Sequence, residues 1–307
     1  MSELRKITCP QCKNELEIPV ELEEFSCLYC GARSKVADLL PRAVNSADYE
    51  QEMDYLLREL PKTVVRYPQH YMKITKKEYP GTYDAYEAEN AEIVAHLDAC
   101  CAAAPEGADA CIHTLCVAYL DALDRHMAAD KRWKRGRSGV LFQYKLVLAL
   151  FLCPMVKRLD LQTAEPFRSE LQAEWLRRYP KEKWLPGDYD VLMEGFRKRK
   201  WCFITTAACR YEHQSDDCAE LTRLRGFRDG WLSGSEGGRV LIDEYYEIAP
   251  TLVACIDYCD APELQYPRLQ QKWLLPCCKA IDEGRYDDCR ALYVDMVQTL
   301  KKQYLQS

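Results

Sequence analysis

The stretch Asp109–Ala129, DACIHTLCVAYLDALDRHMAA, decides how the rest of the chain is read. Ile112, Leu115, Tyr119, Leu123 and Met127 recur every three to four residues, the spacing that lines up one buried face of a helix. Upstream, Pro105-Glu106-Gly107 makes the turn of an αα-hairpin whose first arm is expected from about Tyr83 to Ala104. The same helical signal fills most of the chain from Ser46 on. Ser46 is placed to cap a helix carrying Tyr49, Met53, Leu56, Leu57 and Leu60, which Pro61 closes. Residues 61–82, with their prolines, tyrosines and Lys73, Lys76 and Lys77, read as an irregular connection. Further helices are expected over 139–152, 165–178 and 188–200. Residues 268–283 and 286–304 form a last hairpin, with Gly284 at the helix stop. No repeat at a fixed period appears, so a solenoid is not expected.

The chain has 307 residues, 48% apolar and 29% charged, with a formal net charge of −6. That is the make-up of a globular protein, and the acidic balance argues against a general affinity for nucleic acid or anionic membrane. The most apolar stretch, Val140–Val156, is interrupted by Gln143, Lys145 and Pro154 and reads as a buried helix too short to span a bilayer. Residues 1–6 lead into Cys9 without an apolar run, so no signal peptide and no membrane association are expected. With 17 cysteines, that favours a reducing, cytoplasmic setting over a disulfide scaffold.

Four of those cysteines have a specific reading. Cys9-Pro10-Gln11-Cys12 and Cys27-Leu28-Tyr29-Cys30-Gly31 are two CxxC knuckles. Each aims two thiolates at one point, and together they complete a tetrahedral four-sulfur site that suits zinc. Leu16, Ile18 and Val20 alternate between them as a strand would. So small a module has too little core to fold on burial alone, and a metal supplies what is missing. It resembles the zinc ribbons at the start of many bacterial proteins, which implies a structural or partner-binding role, and four protein ligands leave no open position for chemistry. The expected fold class is mainly α: a small N-terminal zinc ribbon over residues 1–40, then a multi-helix domain.

A second concentration of chemically able residues runs from Cys202 to Pro250. Cys202-Phe203-Ile204-Thr205-Thr206-Ala207 is followed by Asp217-Cys218, Leu224-Arg225, Phe227-Arg228-Asp229, Gly238-Arg239, Tyr245-Tyr246 and Pro250-Thr251-Leu252-Val253. These blocks, in this order, resemble the bacterial CFI-box domain over residues 202–253, about a sixth of the chain. The resemblance implies a domain and not a reaction. It divides the helical part into residues 45–200 and a CFI-box region, 201–307, packed on the preceding helices. Thr205, Cys209-Arg210, Gly226 and Ala249 depart from the family pattern. The glycine missing at Arg210 removes the reason to expect a left-handed backbone there.

Helical phasing adds to this. Leu221, Leu224, Phe227, Trp231 and Leu232 share one apolar face, with Arg228 inside it and Arg225 near its edge. An inward arginine needs a carboxylate partner, and Glu220, Asp229, Asp243, Glu244 and Glu247 are within reach in sequence. A structural ion pair supported by Tyr245 or Tyr246 is favoured over an anion-binding pocket. Cys202 follows Arg197-Lys198-Arg199-Lys200, which would favour its thiolate, and His213 is the nearby histidine. A buried cysteine beside Phe203 and Ile204 is nonetheless the favoured reading. Cys209 and Cys218 raise a third option, a second metal or disulfide site with Cys202, although their spacing of seven and nine residues fits no usual ligand motif. The remaining cysteines read as core filling, and the basic run 131–137 as a solvated loop rather than a phosphate contact.

No phosphate loop, nucleophile elbow, HExxH or dinucleotide fingerprint is present. The leading expectation is an interaction or adaptor protein with a protein partner. The runner-up is a cysteine-dependent site at Cys202 with Arg225, Arg228, Asp229, Tyr245 and Tyr246 around a pocket. Nucleic-acid binding through the ribbon and the basic run comes third.

Overall fold

The computed structural model describes residues 4–9, 11–12, 14–19, 22, 24–35, 46–67, 74–197, 203–215 and 217–305. The chain is mainly α-helical, with strands only near the N-terminus among the described residues. There, β1 (Leu4–Thr8) pairs antiparallel with β2 (Glu15–Pro19), and β3 (Glu24–Ser26) with β4 (Arg33–Lys35). Each hairpin carries one CxxC at its tip. Ile7 pairs across the ladder with Leu16 on the buried face, and these two with Ile18, Phe25, Cys9 and Cys27 make a small core of their own. Val20 lies outside the described residues.

The helical body begins with α1 (Ser46–Glu59), α2 (Lys62–Val65), α3 (Tyr79–Ala102) and α4 (Ala108–Ala129). Met53, Leu56 and Leu60 of the first stripe are buried, but Leu57 is exposed. It sits one residue off the face that 53, 56 and 60 share. The connection expected over 61–82 is shorter and less irregular than that: α2 follows Pro61 directly, and Tyr79 and Pro80 already form the first turn of α3. The decisive stripe of α4 is buried along its whole length, from Ile112 to Met127.

α5 (Arg137–Val147), a wide π turn at Leu148–Leu152 and α6 (Cys153–Arg158) run on without a break. This corrects the expectation that the helix ends near 152 and is too short for a bilayer. At 22 residues it is long and apolar enough to cross one, and 89% of its apolar window is buried inside the body. Pro154 removes an N–H donor and would orphan the carbonyl of Leu150 four residues back. The hydroxyl of Tyr79 donates to that carbonyl at 2.6 Å, and the N–H of Gly187 donates to the neighbouring carbonyl of Ala149 at 2.9 Å. Tertiary partners thus carry the helix through its proline. A similar π turn, Gln270–Leu274, precedes Pro276.

α7 (Ala164–Arg178) packs on α4, and α8 (Tyr189–Arg197) follows. Then come α9 (Phe203–Tyr211), α10 (Ala219–Gly226) with a π turn at Phe227–Leu232, α11 (Gly238–Cys259), α12 (Pro262–Leu269), α13 (Leu275–Asp282) and α14 (Tyr286–Leu305). Gly284 takes φ +70° between α13 and α14, where the N–H of Arg285 donates to the carbonyl of Ala280 at 2.8 Å, the glycine stop expected there. Buried side chains from Met53 to Tyr304 form one contiguous core.

Candidate functional site

The two hairpin tips bring Cys9, Cys12, Cys27 and Cys30 together, with all four sulfurs within 4.8 Å of one another. The sulfurs of Cys9 and Cys30 are 3.7 Å apart and those of Cys12 and Cys27 3.6 Å. The local backbone explains the convergence. Cys9 N–H donates to the carbonyl of Asn14, Cys27 N–H to that of Ala32, and Gly31 N–H back to that of Cys27 at 2.8 Å. Gly31 sits at φ +74°, which a side chain would resist. The backbone N–H of Asn14, followed by its side-chain amide, draws the Cys12 thiol down to about 6, and the N–H of Cys12 lowers Cys9 likewise. Against the N–H of Ala32, desolvation and the neighbouring sulfurs push the Cys30 thiol the other way, up to about 12, as crowding of thiolates must. The four soft sulfur donors are a set able to hold a metal ion.

Sequence reasoning left one feature of this centre unread. Leu28 and Tyr29, the two residues inside the second knuckle, are 89% and 67% exposed. They are the spacer of the turn that brings Cys27 and Cys30 to the cluster.

Cys202, with Trp201 and residues 198–200 of the basic run before it, lies outside the described residues. From Phe203 on, α9 is buried through Cys209 and packs on α11. The hydroxyl of Tyr245 accepts the N–H of Ile204 at 3.0 Å, tying α11 to the start of α9. Arg228 lies in the π turn after α10 and points inward, its side chain 11% exposed against 66% for Asp229. Its Nε and Nη2 donate to the two carboxylate oxygens of Asp229 at 2.7 Å each, a bidentate fork. The guanidinium carbon also stands 5.8 Å from the ring centre of Tyr246, which meets Tyr245 edge-on. Of the expected carboxylates, Glu244 pairs with Lys301 and Glu247 accepts the N–H of Lys77. Arg225 is half-buried on the same helix.

Beside Arg228 and Tyr245, between α10, α11 and α14, lies a small apolar cleft of about 60 Å³, walled by Leu224, Phe227, Ile242 and Val297. A second, more open and polar cleft is lined by Arg210, His213, Asp257 and Tyr266. Burial raises the Asp257 carboxyl, and the hydroxyl of Tyr266 donates to it at 2.5 Å. His213 has a left-handed backbone, φ +57°. Its N–H donates to the carbonyl of Arg210 and that of Gln214 to Cys209 at 2.8 Å, the paired bonds of a helix stop that usually uses glycine. The left-handed residue is therefore three places beyond Arg210, and capping accounts for it.

The basic run between α4 and α5 is partly neutralised within itself. Arg132 forks onto Asp130 and reaches Gln143, and Arg137 lies 5.1 Å from the ring centre of Trp133. No protein-family model, curated protein or solved structure matches the chain.

Proposed function

We propose that the chain is an interaction protein whose partner, another protein, docks on the tip of a zinc-stabilised N-terminal ribbon. One observation carries this reading: Leu28 and Tyr29 stand outward on a knuckle whose flanking cysteines converge with Cys9 and Cys12. Large apolar side chains held rigidly in solvent contribute most when a partner covers them. Zinc is the metal the donor set favours. Four thiolates at metal–sulfur distances of about 2.3 Å have sulfur–sulfur edges of about 3.8 Å, close to the spacing of the two pairs above. Closed four-sulfur coordination supports a structural role for the metal and leaves recognition to the surface. The net charge of −6 favours a protein over a polyanion.

Residues 202–253 are further proposed to be a CFI-box unit, on the strength of the ordered blocks quoted above. Within it, the Arg228–Asp229 fork, Tyr246 and the Tyr245 hydroxyl act as a lock between helices.

The test is a photoreactive amino acid placed at position 28 or 29, with Val240, 70% exposed on the helical body, as the control position. A covalent adduct with one protein from 28 or 29, lost on chelation and missing from 240, is the expected result. Adducts that form from 240 but never from the knuckle contradict the proposal.

A further inference from the structure

The turn between α9 and α10 brings together two cysteines that their spacing does not link. The sulfurs of Cys209 and Cys218 are 3.2 Å apart, nearer than the 3.6 Å between Cys100 and Cys111 across the α3–α4 hairpin. We propose that Cys209 and Cys218 are a reversible dithiol–disulfide pair, oxidised by a small hydroperoxide. A disulfide bond is about 2.05 Å long, so closure requires the sulfurs to approach by about 1 Å.

The backbone is already folded for that approach. The helix stop at His213 reverses the chain, Cys218 N–H donates to the carbonyl of Ser215 at 3.1 Å, and the carbonyl of Cys218 accepts the N–H of Thr222 at 3.0 Å. Cys209 is thereby fixed in the last turn of α9, and Cys218 as the residue that opens α10. With Leu221 the two cysteines form a small cluster separate from the main core. Drawing them together leaves the large core in place.

Access selects this pair over the others. Among the described cysteines outside the metal knuckles, only Cys218 is not buried. Cys100, Cys111, Cys277 and Cys289 lie within the main core, and a peroxide reaches them only when that core opens. Oxidation therefore starts at Cys218 and not at a buried sulfur. The sulfur of Cys218 attacks the outer oxygen of the hydroperoxide, the O–O bond breaks, and an alcohol, or water from hydrogen peroxide, leaves. Cys218 becomes a sulfenic acid. The sulfur of Cys209 then attacks that of Cys218, the S–O bond breaks, and the departing hydroxide takes the thiol proton of Cys209 as water. Two thiols have lost two electrons and two protons, and the peroxide has been reduced. Burial, followed by the neighbouring Cys218, raises the Cys209 thiol, in keeping with its acting second. A small peroxide fits the half-buried Cys218 better than a bulky disulfide such as oxidised glutathione.

The experiment uses the full chain loaded with zinc, one equivalent of hydrogen peroxide, a maleimide quench and non-reducing peptide mapping. The expected product is a Cys209–Cys218 linkage that dithiothreitol reverses, formed about tenfold or more faster than any Cys100–Cys111 or Cys277–Cys289 linkage. Cys209→Ala should stop Cys218 at a sulfenic acid that dimedone traps. Cys218→Ala, at the half-exposed position, should leave Cys209 reduced. A wild-type Cys218 that passes to sulfinic acid with Cys209 still free, a linkage of Cys209 to any other cysteine in its place, or equal rates at Cys100–Cys111 or Cys277–Cys289 would each overturn the proposal. Oxidised glutathione in place of peroxide should close the pair more slowly, and faster closure would overturn the choice of oxidant.

Discussion

The described residues of the N-terminal ribbon, up to Lys35, and those of the helical body, from Ser46 on, are built differently. In the ribbon, Ile7, Leu16, Ile18 and Phe25 are the buried aliphatic and aromatic residues among those described, and Cys9 and Cys27 complete the cluster. In the body, Leu120, Leu146, Phe151, Trp175, Ile204, Leu252 and many others are wholly enclosed. On the proposed reading, the first depends on a metal at the point where four sulfurs meet, and the second on area removed from water. Their surfaces share a feature: Leu28 and Tyr29 stand outward on the ribbon, and Val240 and Leu264 stand outward on the body.

The comparison is broken most severely by removing the metal ligands. Cys27→Ser combined with Cys30→Ser should abolish hydrogen-exchange protection in β1 to β4, since a structural zinc contributes on the order of 10 kcal/mol or more. The thermal midpoint of the body should move by less than about 2 °C. Next in size is Phe151→Ala, which empties a site ringed by Tyr79, Tyr83 and Tyr86. A loss of about 3–5 kcal/mol in urea unfolding is expected, with metal content unchanged.

The body also carries a pH signature. Arg177, followed by Arg178, holds the buried Glu174 carboxylate at about 2, well below its ordinary 4.5. A depressed carboxylate stabilises the fold above its unfolded value, and that contribution is lost as pH falls through the folded one. Stability should therefore drop between about pH 5 and pH 2 by roughly 2–3 kcal/mol from this group, and Glu174→Gln should flatten that part of the profile. Tyr79→Phe, which leaves the carbonyl of Leu150 without its hydroxyl donor, should cost about 1–2 kcal/mol by denaturant titration. The smallest effect is a gain: His213→Gly should raise stability by up to about 1 kcal/mol, because glycine accepts the left-handed backbone without strain.

Features set by neighbours in sequence were legible before the structure. The α4 stripe, the Gly284 stop and the two CxxC tips all depend on spacing within one or two turns of chain. Features set by distant partners were not. The helix passes Pro154 because a tyrosine 71 residues earlier supplies a hydrogen bond to Leu150, and local sequence carries no sign of it. Arg228 lay where phasing put it, inward, with its carboxylate partner among the nearest candidates. Cys209 and Cys218 were singled out by the sequence, but their pairing with each other was not legible, because their meeting depends on a left-handed turn at His213 that spacing alone does not reveal. Leu28 and Tyr29 were visible only as the spacer of a metal motif.

Metal analysis of the purified full chain tests the central claim most directly. The account predicts one zinc per chain, retained in Phe151→Ala and lost in the Cys27→Ser, Cys30→Ser double variant. A chain that holds no zinc while β1 to β4 remain protected from exchange, or a double variant that keeps its zinc, would contradict it.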